Sequence, residues 1–265
     1  MSRKSGHRFS DKDMRQSKVT PWNGGTTVGG AAVGGVTVVI PTFNEADSIG
    51  AVIAELPRDM VTRIIVVDGG SGDGTPERAR VAGAEVIPVG RGYGLACLTG
   101  AQAAGADDII VFMDGDGADD PSAIAALMAP IAGGDYDFVI TSRARGEREP
   151  GSMAWHQILA GQVAGVLTKL LYGVRYTDMS AFRAIRRETL LTLGMRELTY
   201  GWNLEMQMRV ARAGLRVLEL PVGYRRRRGG ESKVAGSLRG SVRAGAKIMS
   251  TFARVATEPM RERVS

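Results

Sequence analysis

Short runs of apolar residues alternate along this chain with segments that have the spacing of helices. The runs are rich in Val and Ile, and several are followed at once by Asp, Gly or Pro. Uninterrupted β-branched runs of this length are typical of strands buried on both faces of a sheet. Such runs predict strands at Val36–Ile40, Ile64–Val67, Ile109–Met113 and Phe138–Thr141, and we expect further strands at Glu85–Val89 and Leu215–Leu220.

The segments between these strands predict helices. We expect them at about 46–56, 76–82, 90–104 and 152–171, the third opened by the glycine-rich turn Gly90–Gly94. Thr75 stands where an N-cap is expected, with Pro76 at the first helical position. Strands and helices that alternate predict an α/β fold with a mainly parallel sheet. Open sheets of this kind bind ligands at the carboxyl ends of their strands.

Length and composition fit one catalytic domain with two tails. Of the 265 residues, 44% are hydrophobic and 23% are charged, which is ordinary for a soluble globular chain. We expect a disordered, basic and glycine-rich tail at 1–35, a catalytic domain at 36–235, and a C-terminal amphipathic helix with a tail at 236–265. The one cysteine, Cys97, excludes an internal disulfide and fits a reducing cytosol.

No segment of the sequence is apolar for long enough to cross a membrane. The longest weakly polar stretch, Ile158–Tyr172, has about fifteen residues and includes Gln162 and Lys169, whereas a spanning helix needs roughly 20 apolar residues. The N-terminus has no apolar signal core. We therefore expect a cytoplasmic location.

The net charge of +6 is divided unevenly along the chain. Residues 1–35 carry six Lys and Arg against two Asp and Glu, residues 36–220 carry 17 against 23, and residues 221–265 carry 11 against 3. An acidic body with a strongly basic C-terminal segment indicates a localised anionic partner. The alternative is a plain solvated surface.

Two carboxylates, Asp114 and Asp116, follow the fourth predicted strand with only Gly115 between them. Alternate side chains of a strand point to one face, so both carboxylates can reach one hard cation. Mg²⁺ or Mn²⁺ held in this way keeps open positions for a diphosphate and offsets the charge of a leaving nucleotide. The alternative is an exposed turn. Asp119 and Asp120 are expected at a helix N-terminus.

A glycine-rich loop follows Asp68 at the end of the second predicted strand. Its glycines let the backbone approach a ligand closely, and Asp68 can accept hydrogen bonds from a ribose or a base. The chain lacks both the P-loop and the Gly-x-Gly-x-x-Gly dinucleotide fingerprint. Its two histidines, His7 and His156, argue against a histidine triad or a zinc site.

Seven segments occur in the order found in a known enzyme family. Val38–Glu45, Val67–Thr75 and Met113–Pro121 together resemble family 2 glycosyltransferases, which have the GT-A fold. The later segments resemble the dolichyl- or polyprenyl-phosphate mannosyl- and glucosyltransferases of that family. These segments are Thr141–Arg143, Thr177–Arg183, Glu219–Val222 and Arg227–Lys233. The resemblance covers about residues 36–235.

The resemblance implies roles for individual positions. Asp114 and Asp116 match the carboxylates that hold the metal and the donor diphosphate. Arg143 matches an arginine that faces the acceptor phosphate, and Arg227 and Lys233 match cationic residues that close over the diphosphate and acceptor. Pro41, Phe43 and Glu45 match residues that hold the base and ribose of the nucleotide, and Val67 matches a neighbouring backbone contact. The expected donor-binding set is therefore Pro41, Phe43, Glu45, Val67, Asp68, Gly69, Asp114, Gly115 and Asp116.

Three positions depart from the family pattern. Gly69 replaces a second aspartate that contacts the nucleotide, which leaves the choice between guanine and uracil open. Ala118 replaces a polar metal ligand, so a water or a donor oxygen has to complete the coordination. Gln157 stands where the polyprenyl-phosphate enzymes tend to place a further arginine, which weakens the case for a phosphate acceptor.

The acceptor decides whether a general base is needed. The resemblance implies inversion by direct displacement, in which an anionic phosphate needs no strong base and a hydroxyl does. Asp178 and Glu205 are the candidate bases, and pairing with a nearby arginine is the alternative for each. Asp116 and Arg143 complete the catalytic candidates.

The C-terminal segment projects as a basic amphipathic helix. Its apolar side carries Leu238, Val242, Gly245, Met249 and Phe252, and its basic side carries Arg239, Arg243, Lys247 and Arg254. Such a helix suits an anionic membrane surface. The alternatives are packing on the domain or on a second subunit of a homo-oligomer. The Arg225–Arg228 run lacks interleaved aromatics, so no nucleic-acid partner is expected.

We therefore expect a metal-dependent inverting GT-A transferase. It would move a hexose from a donor of the GDP-mannose or UDP-glucose type to a polyprenyl or dolichyl phosphate, in the cytoplasm or peripherally at the inner face of a membrane. One alternative is transfer to a soluble small-molecule or glycan hydroxyl. The others are a nucleotide-sugar-binding protein without turnover and, on fold alone, a sugar nucleotidyltransferase.

Overall fold

The strands in the described part of the chain form one mixed sheet. The computed structural model describes residues 35–105, 108–229 and 238–258, and only the backbone at 238–245. The strands in this part of the chain are β1 (Val36–Thr42), β2 (Arg63–Asp68), β3 (Glu85–Pro88), β4 (Ile109–Phe112), β5 (Phe138–Ser142), β6 (Arg183–Arg186) and β7 (Val217–Pro221). Their order in the sheet is β3-β2-β1-β4-β6-β5-β7. Only β6 runs antiparallel to its neighbours, β4 and β5, so the sheet is mainly parallel as expected.

Helices cover both faces of the sheet. They are α1 (Ile49–Ala54), α2 (Thr75–Val81), α3 (Tyr93–Ala103), α4 (Ile124–Ala132), α5 (Trp155–Tyr172), α6 (Arg187–Thr192), α7 (Trp202–Arg212) and α8 (Leu238–Thr257). Helices α1, α2 and α4 share one apolar core with the sheet, and α3, α6 and α7 share the other. Helices α5 and α8 pack on α7 around a smaller cluster that includes Met208 and Val255.

The apolar runs have no polar alternation because both faces of the sheet are buried. In β1, Val38 and Ile40 belong to the core beneath α1, whereas Val39 between them belongs to the core beneath α3. All three are fully buried. A parallel strand covered by helices on both sides needs an apolar residue at every position, which explains why these strands were predictable.

Four of these elements were not predicted from the sequence, namely β6, α4, α6 and α7. Strand β6 is only four residues long and begins and ends with arginine, so it has no apolar run. Helix α7 carries several charged residues among its apolar ones, although its Leu204, Met206 and Met208 are buried.

The prediction of Thr75 as an N-cap is wrong. Helix α2 begins at Thr75, and Gly74 is its N-cap with φ of 92°. The Asp73 carboxylate accepts hydrogen bonds from both the backbone N and the Oγ1 of Thr75, at 3.0 and 2.6 Å. The side-chain oxygen that accepts a backbone N–H at the start of α2 therefore belongs to Asp73, and not to Thr75.

Helix α8 packs on the domain, with part of its basic side turned inward. Lys247 Nζ lies 3.1 Å from Glu197, and Arg254 Nη1 lies 2.9 Å from Glu205. Val255 and Thr251 are buried beneath the helix, while Met249 of the expected apolar side is 59% exposed. The projected basic side therefore does not form a free surface at Lys247 and Arg254.

Within the described ranges, no helix combines the length and apolarity that a membrane crossing requires. The tail expected at 1–35 lies outside these ranges except for Gly35. Residues 236–237 and 259–265 of the expected C-terminal segment also lie outside them.

Candidate active site at the carboxyl edge of the sheet

The loops that follow β1 and β2 lie side by side. Pro41 pairs with Val67 and Thr42 pairs with Asp68 at the ends of the two strands. Past the strands, Glu45 N donates to Thr75 Oγ1 at 2.8 Å. Val39 is the last residue of β1 that pairs with β4. Pro41 lies beyond it, so the N–H that proline lacks is not needed for a hydrogen bond between these two strands. The donor-binding positions expected on both loops are therefore brought to one edge.

Asp68 organises the loop that follows β2. Its carboxylate accepts hydrogen bonds from the backbone N of Gly70 and Ser71 at 3.0 and 2.9 Å, and from the hydroxyls of Ser71 and Thr42 at 2.5 and 3.3 Å. The side chain is nearly fully buried. Both carboxylate oxygens of Asp68 therefore accept hydrogen bonds within the protein, whereas the sequence suggested that they contact a ribose or a base.

Phe43 and Gly69 meet Arg91 from the glycine-rich turn before α3. The Arg91 guanidinium carbon lies 4.2 Å from the centre of the Phe43 ring. A Cβ at Gly69 would lie 3.4 Å from the Thr42 carbonyl oxygen and 4.0 Å from Arg91 Cα. The departure at Gly69 therefore lies where the loop after β2 meets Thr42 and Arg91 at ordinary contact distance, and Arg91 is a residue that the sequence analysis missed.

The acidic segment Asp114–Asp116 forms a turn. Strand β4 ends at Phe112, so strand alternation, the geometry expected from the sequence, does not apply here. Gly115 is held by its carbonyl, which accepts from Ser48 Oγ at 2.7 Å, and a Cβ there would lie 3.0 Å from Thr42 Cγ2. The turn is thus fixed against α1 and β1.

Three carboxyl groups lie in and beside this turn. Burial raises the pKa of Asp114, and the charge of Asp116 raises it further. Burial also raises the pKa of Asp119, followed by the charges of Asp114 and Asp116. Asp119 is buried and accepts from Asp114 N at 3.3 Å, whereas Asp120 caps the 3-10 turn Pro121–Ala123. The helix-terminal position expected for both aspartates is therefore correct only for Asp120.

The arginines 225–228 distribute their contacts among different partners. Arg227 Nε lies 3.1 Å from Asp116 Oδ2. Arg226 donates from N to Glu149 and from Nε to the Pro150 carbonyl, and Arg225 and Arg228 both reach Glu55. The run is therefore engaged within the chain. Lys233, expected to act with Arg227, lies outside the described residues.

Arg143 is held by a carboxylate and an aromatic ring. Its Nε and Nη2 donate to the two carboxylate oxygens of Asp178 at 2.7 and 2.8 Å, and its backbone N donates to Oδ2 at 2.9 Å. Its guanidinium carbon lies 5.0 Å from the centre of the Tyr224 ring. Burial opposes the charge of Asp178, but the hydrogen bonds from Arg143 keep the pKa of Asp178 low. Tyr224, which precedes the arginine run, is a second residue that the sequence analysis missed.

Glu205 belongs to a different cluster. It is fully buried in α7, and its oxygens accept from Arg209 Nε at 2.9 Å and from the backbone N of Arg196 and Glu197 at 3.0 and 2.6 Å. Arg254 of α8 donates to the same carboxylate. This is the arginine pairing that the sequence left open as the alternative to a general base.

The acidic turn offers two carboxylates to a cation, Asp114 and Asp116. The pKa of Asp114 is raised first by burial and then by the charge of Asp116, and a bound cation would favour the charged form of both carboxylates. Across the described ranges, no group of three or more His, Cys, Asp or Glu side chains could hold a metal by itself. Mg²⁺ is usually bound by one or two carboxylates, waters and substrate phosphates, so these residues fit a metal that binds together with a diphosphate.

Comparison with known proteins identifies the family to which this chain belongs. Residues 37–194 match the profile described as "Glycosyl transferase family 2". An uncharacterized glycosyltransferase of Mycobacterium bovis is 38% identical over 213 residues, which cover 78% of this chain and 93% of the relative. An undecaprenyl-phosphate mannosyltransferase of Micrococcus luteus is 31% identical over 224 residues, which cover 77% of this chain and 89% of the relative.

The fold also matches solved structures. One is glucosyl-3-phosphoglycerate synthase from Mycobacterium tuberculosis in complex with Mn²⁺, UDP-glucose and phosphoglyceric acid. The TM-score is 0.67 at 23% identity, over 85% of this chain and 81% of that chain. At this identity the match establishes the fold, which is that of GT-A glycosyltransferases.

Proposed function

This chain belongs to glycosyltransferase family 2, and we propose that it transfers a hexose from a nucleoside-diphosphate sugar to the phosphate of a polyprenyl phosphate. The observation that carries the proposal is the pair of arginines beside the acidic turn. Arg227 contacts Asp116 directly, and Arg143 is fixed by Asp178 with its charge close enough to influence Asp114. The guanidinium of Arg227 can thus bind a diphosphate, and that of Arg143 can bind an acceptor phosphate.

In the proposed reaction, an oxygen of the acceptor phosphate attacks the anomeric carbon of the hexose. The bond from that carbon to the diphosphate oxygen breaks, and the nucleoside diphosphate leaves with both electrons. Arg227 is placed to exchange Asp116 for diphosphate oxygens. A divalent cation held by Asp114 and Asp116 would supply Lewis-acid stabilisation of the leaving group.

A phosphate acceptor agrees with the state of the candidate bases. A phosphate is anionic at neutral pH and needs no deprotonation, whereas a hydroxyl acceptor needs a general base. The carboxylates of Asp178 and Glu205 are both ion-paired with arginines. Neither is a good proton acceptor in that arrangement, which favours the phosphate over the hydroxyl alternative.

A lipid-linked acceptor is supported by the exposed face of α5. Trp155 and Leu170 are 75% and 76% exposed, and Leu159, Val163 and Val166 lie between them on the same face. The opposite face of the helix packs close to the site, because a Cβ at Gly161 would lie 3.3 Å from Asp178 Cα. Exposed apolar patches of this kind mark contact with partners or membranes. We propose that this face of α5, rather than the basic side of α8, meets the lipid.

Two of the relatives support this choice of acceptor. The undecaprenyl-phosphate mannosyltransferase of Micrococcus luteus and a polyprenol monophosphomannose synthase of Mycolicibacterium smegmatis are 31% and 28% identical to this chain. Both names refer to a polyprenyl acceptor. The mannose in these names makes GDP-mannose the first donor to test.

The proposal is tested by nucleotide release from a panel of donors. GDP-mannose and UDP-glucose are incubated with the protein and Mg²⁺ or Mn²⁺, with and without undecaprenyl phosphate in detergent. We expect one donor to release its nucleotide only when the lipid phosphate is present. Asp116→Asn should abolish that release, and Asp59→Asn, at an exposed aspartate away from the site, should retain it. Release that ignores the lipid and responds to a soluble hydroxyl would contradict the proposed acceptor.

A further inference from the structure

The segment that carries Arg227 is bound to the acidic turn through its backbone. Arg225 N donates to the Ala118 carbonyl at 2.9 Å, and Arg228 N donates to the Asp116 carbonyl at 3.0 Å. Residue Tyr224 forms an isolated bridge with Asp119. The segment 224–229 therefore lies along the turn, and small shifts of its backbone move Arg227 relative to Asp116.

One carboxylate outside the turn binds this segment at two points. Arg225 Nη1 lies 2.9 Å from Glu55 Oε2, and the Arg228 guanidinium contacts Glu55 Oε1. Glu55 is the C-cap residue of α1, so it is anchored to the domain. The two arginines at positions −2 and +1 from Arg227 are thus both bound by Glu55, and Arg225 Nη2 also lies 3.1 Å from Asp120 Oδ1.

This arrangement determines where Arg227 can reach. With Arg225 and Arg228 bound to Glu55, the side chain between them contacts Asp116 at 3.1 Å. Gly117 makes room for the segment, since it has φ of 78° and a Cβ there would lie 3.0 Å from Arg228 Cδ. We infer that Glu55 is a positioning residue, which holds the segment 224–229 against the acidic turn and so places Arg227 for the donor diphosphate.

The size of the effect follows from the exposure of the pairs. Glu55, Arg225 and Arg228 are each about one-third exposed, at 34%, 36% and 38%. A single ion pair with such exposure changes an equilibrium by up to about fivefold. Loss of Glu55 removes two such pairs, so a larger share of the molecules would have the segment displaced before the donor binds. The free energy of donor binding would then be reduced by the free energy needed to return the segment to the acidic turn.

The first test is independent of catalysis. Hydrogen exchange of the Arg225 and Arg228 amides is compared in the wild type, Glu55→Gln and Glu77→Gln. Glu77 is a matched control because it is an exposed glutamate whose partner, Arg80, lies on the same helix. We expect both amides to exchange about fivefold faster in Glu55→Gln and unchanged in Glu77→Gln. Equal exchange in the wild type and Glu55→Gln would overturn the inference.

The second test rests on the proposed function. We expect Glu55→Gln to raise the KM for the nucleotide-sugar donor about fivefold, with kcat within about twofold and an unchanged melting temperature. In a double-mutant cycle, Arg228→Gln should add little to Glu55→Gln. Faster exchange with an unchanged donor KM in an active enzyme would overturn the role of Glu55 in placing Arg227. Faster exchange in a protein that transfers no sugar would leave the anchoring by Glu55 standing and refute the proposed function.

Discussion

Arg143 and Asp178 form a bidentate ion pair, with Nε and Nη2 donating to the two carboxylate oxygens at 2.7 and 2.8 Å. The pair joins the end of β5 to the segment after α5, across 35 residues of sequence. Because the Asp178 carboxylate is committed to the guanidinium, its role is to fix the arginine. A rigid guanidinium beside an acidic turn is suited to recognise a phosphate.

Arg143→Lys tests the need for the guanidinium fork. Lysine retains the charge but cannot make both bonds to Asp178, so its ammonium group is not held in place. We expect the KM for the acceptor phosphate to rise about tenfold, because a charge-assisted hydrogen bond is lost. Steady-state kinetics with varied acceptor measure the change, and Arg145→Lys, at a 37% exposed side chain, is the control. An acceptor KM within twofold of the wild type would contradict the assignment.

Glu205→Gln should reduce stability and leave chemistry intact. The variant removes the fully buried carboxylate that Arg209 and Arg254 share, and both arginines keep Glu258 as a partner, so we expect a loss of about 2 kcal/mol in the free energy of unfolding at pH 7. Burial opposes the charge, but the backbone and arginine hydrogen bonds lower the pKa of Glu205 below 4.5 in the folded state. Its stabilisation is thus complete above the unfolded pKa and is lost as the pH falls through the folded pKa.

The measurement is urea unfolding of the wild type and Glu205→Gln at pH 7 and at pH 4. The difference between them should shrink at the lower pH. Turnover per folded molecule should stay within about twofold of the wild type. A fall in kcat of a hundredfold or more with unchanged stability would instead identify Glu205 as the general base.

Gly165→Ala should displace α5 from the domain. A Cβ at Gly165 would lie 1.8 Å from the Tyr176 carbonyl oxygen, so the backbone of the helix has to move. We expect a loss of about 2 kcal/mol in the free energy of unfolding. Gly50→Ala in α1 is the control, because a Cβ there meets nothing within 4 Å and should stabilise the protein by about 0.5 kcal/mol. Chemical denaturation that shows equal effects would contradict the packing described for α5.

Leu159→Ser combined with Leu170→Ser tests the lipid-facing role of α5. Both side chains are largely exposed, at 50% and 76%, so the change should leave folding intact while it removes apolar area. We expect reduced cosedimentation with phospholipid vesicles and unchanged turnover on a short-chain polyprenyl phosphate. Val81→Ser, on the 90% exposed Val81 of α2, is the control. Vesicle binding equal to that of the wild type would refute the proposed surface.

The central parallel strands and the edge that carries the candidate site were predictable because strands such as β1 and β4 are local apolar runs. Val36–Ile40 and Ile109–Met113 need every position buried, and this requirement is visible in the sequence. Strand β6 was not predictable, because Arg183 is buried there and donates to the carbonyls of Ala181 and Asn203. Carbonyl partners leave no pattern in the sequence.

The contacts within the site were less predictable than its location. The spacing of Asp114 and Asp116 brought these two residues to attention, and the resemblance added Arg143 and Arg227. The partner of Arg143, however, lies 35 residues away and is fixed only by the fold. Glu55, separated from Arg225 by 170 residues, had no local feature to distinguish it. The basic side of α8 shows the opposite case, because an amphipathic projection reports which residues share a side and not which way that side faces.

The most direct test of the central claim is the structure of the reaction product. The protein is incubated with a nucleotide sugar, Mn²⁺ and undecaprenyl phosphate, and the organic phase is analysed by mass spectrometry and by NMR of the anomeric centre. We predict a hexosyl-phosphoryl-polyprenol whose anomeric configuration is inverted relative to the donor. A product in which the hexose is attached to a hydroxyl of a soluble acceptor, with no sugar on the lipid phosphate, would contradict this account.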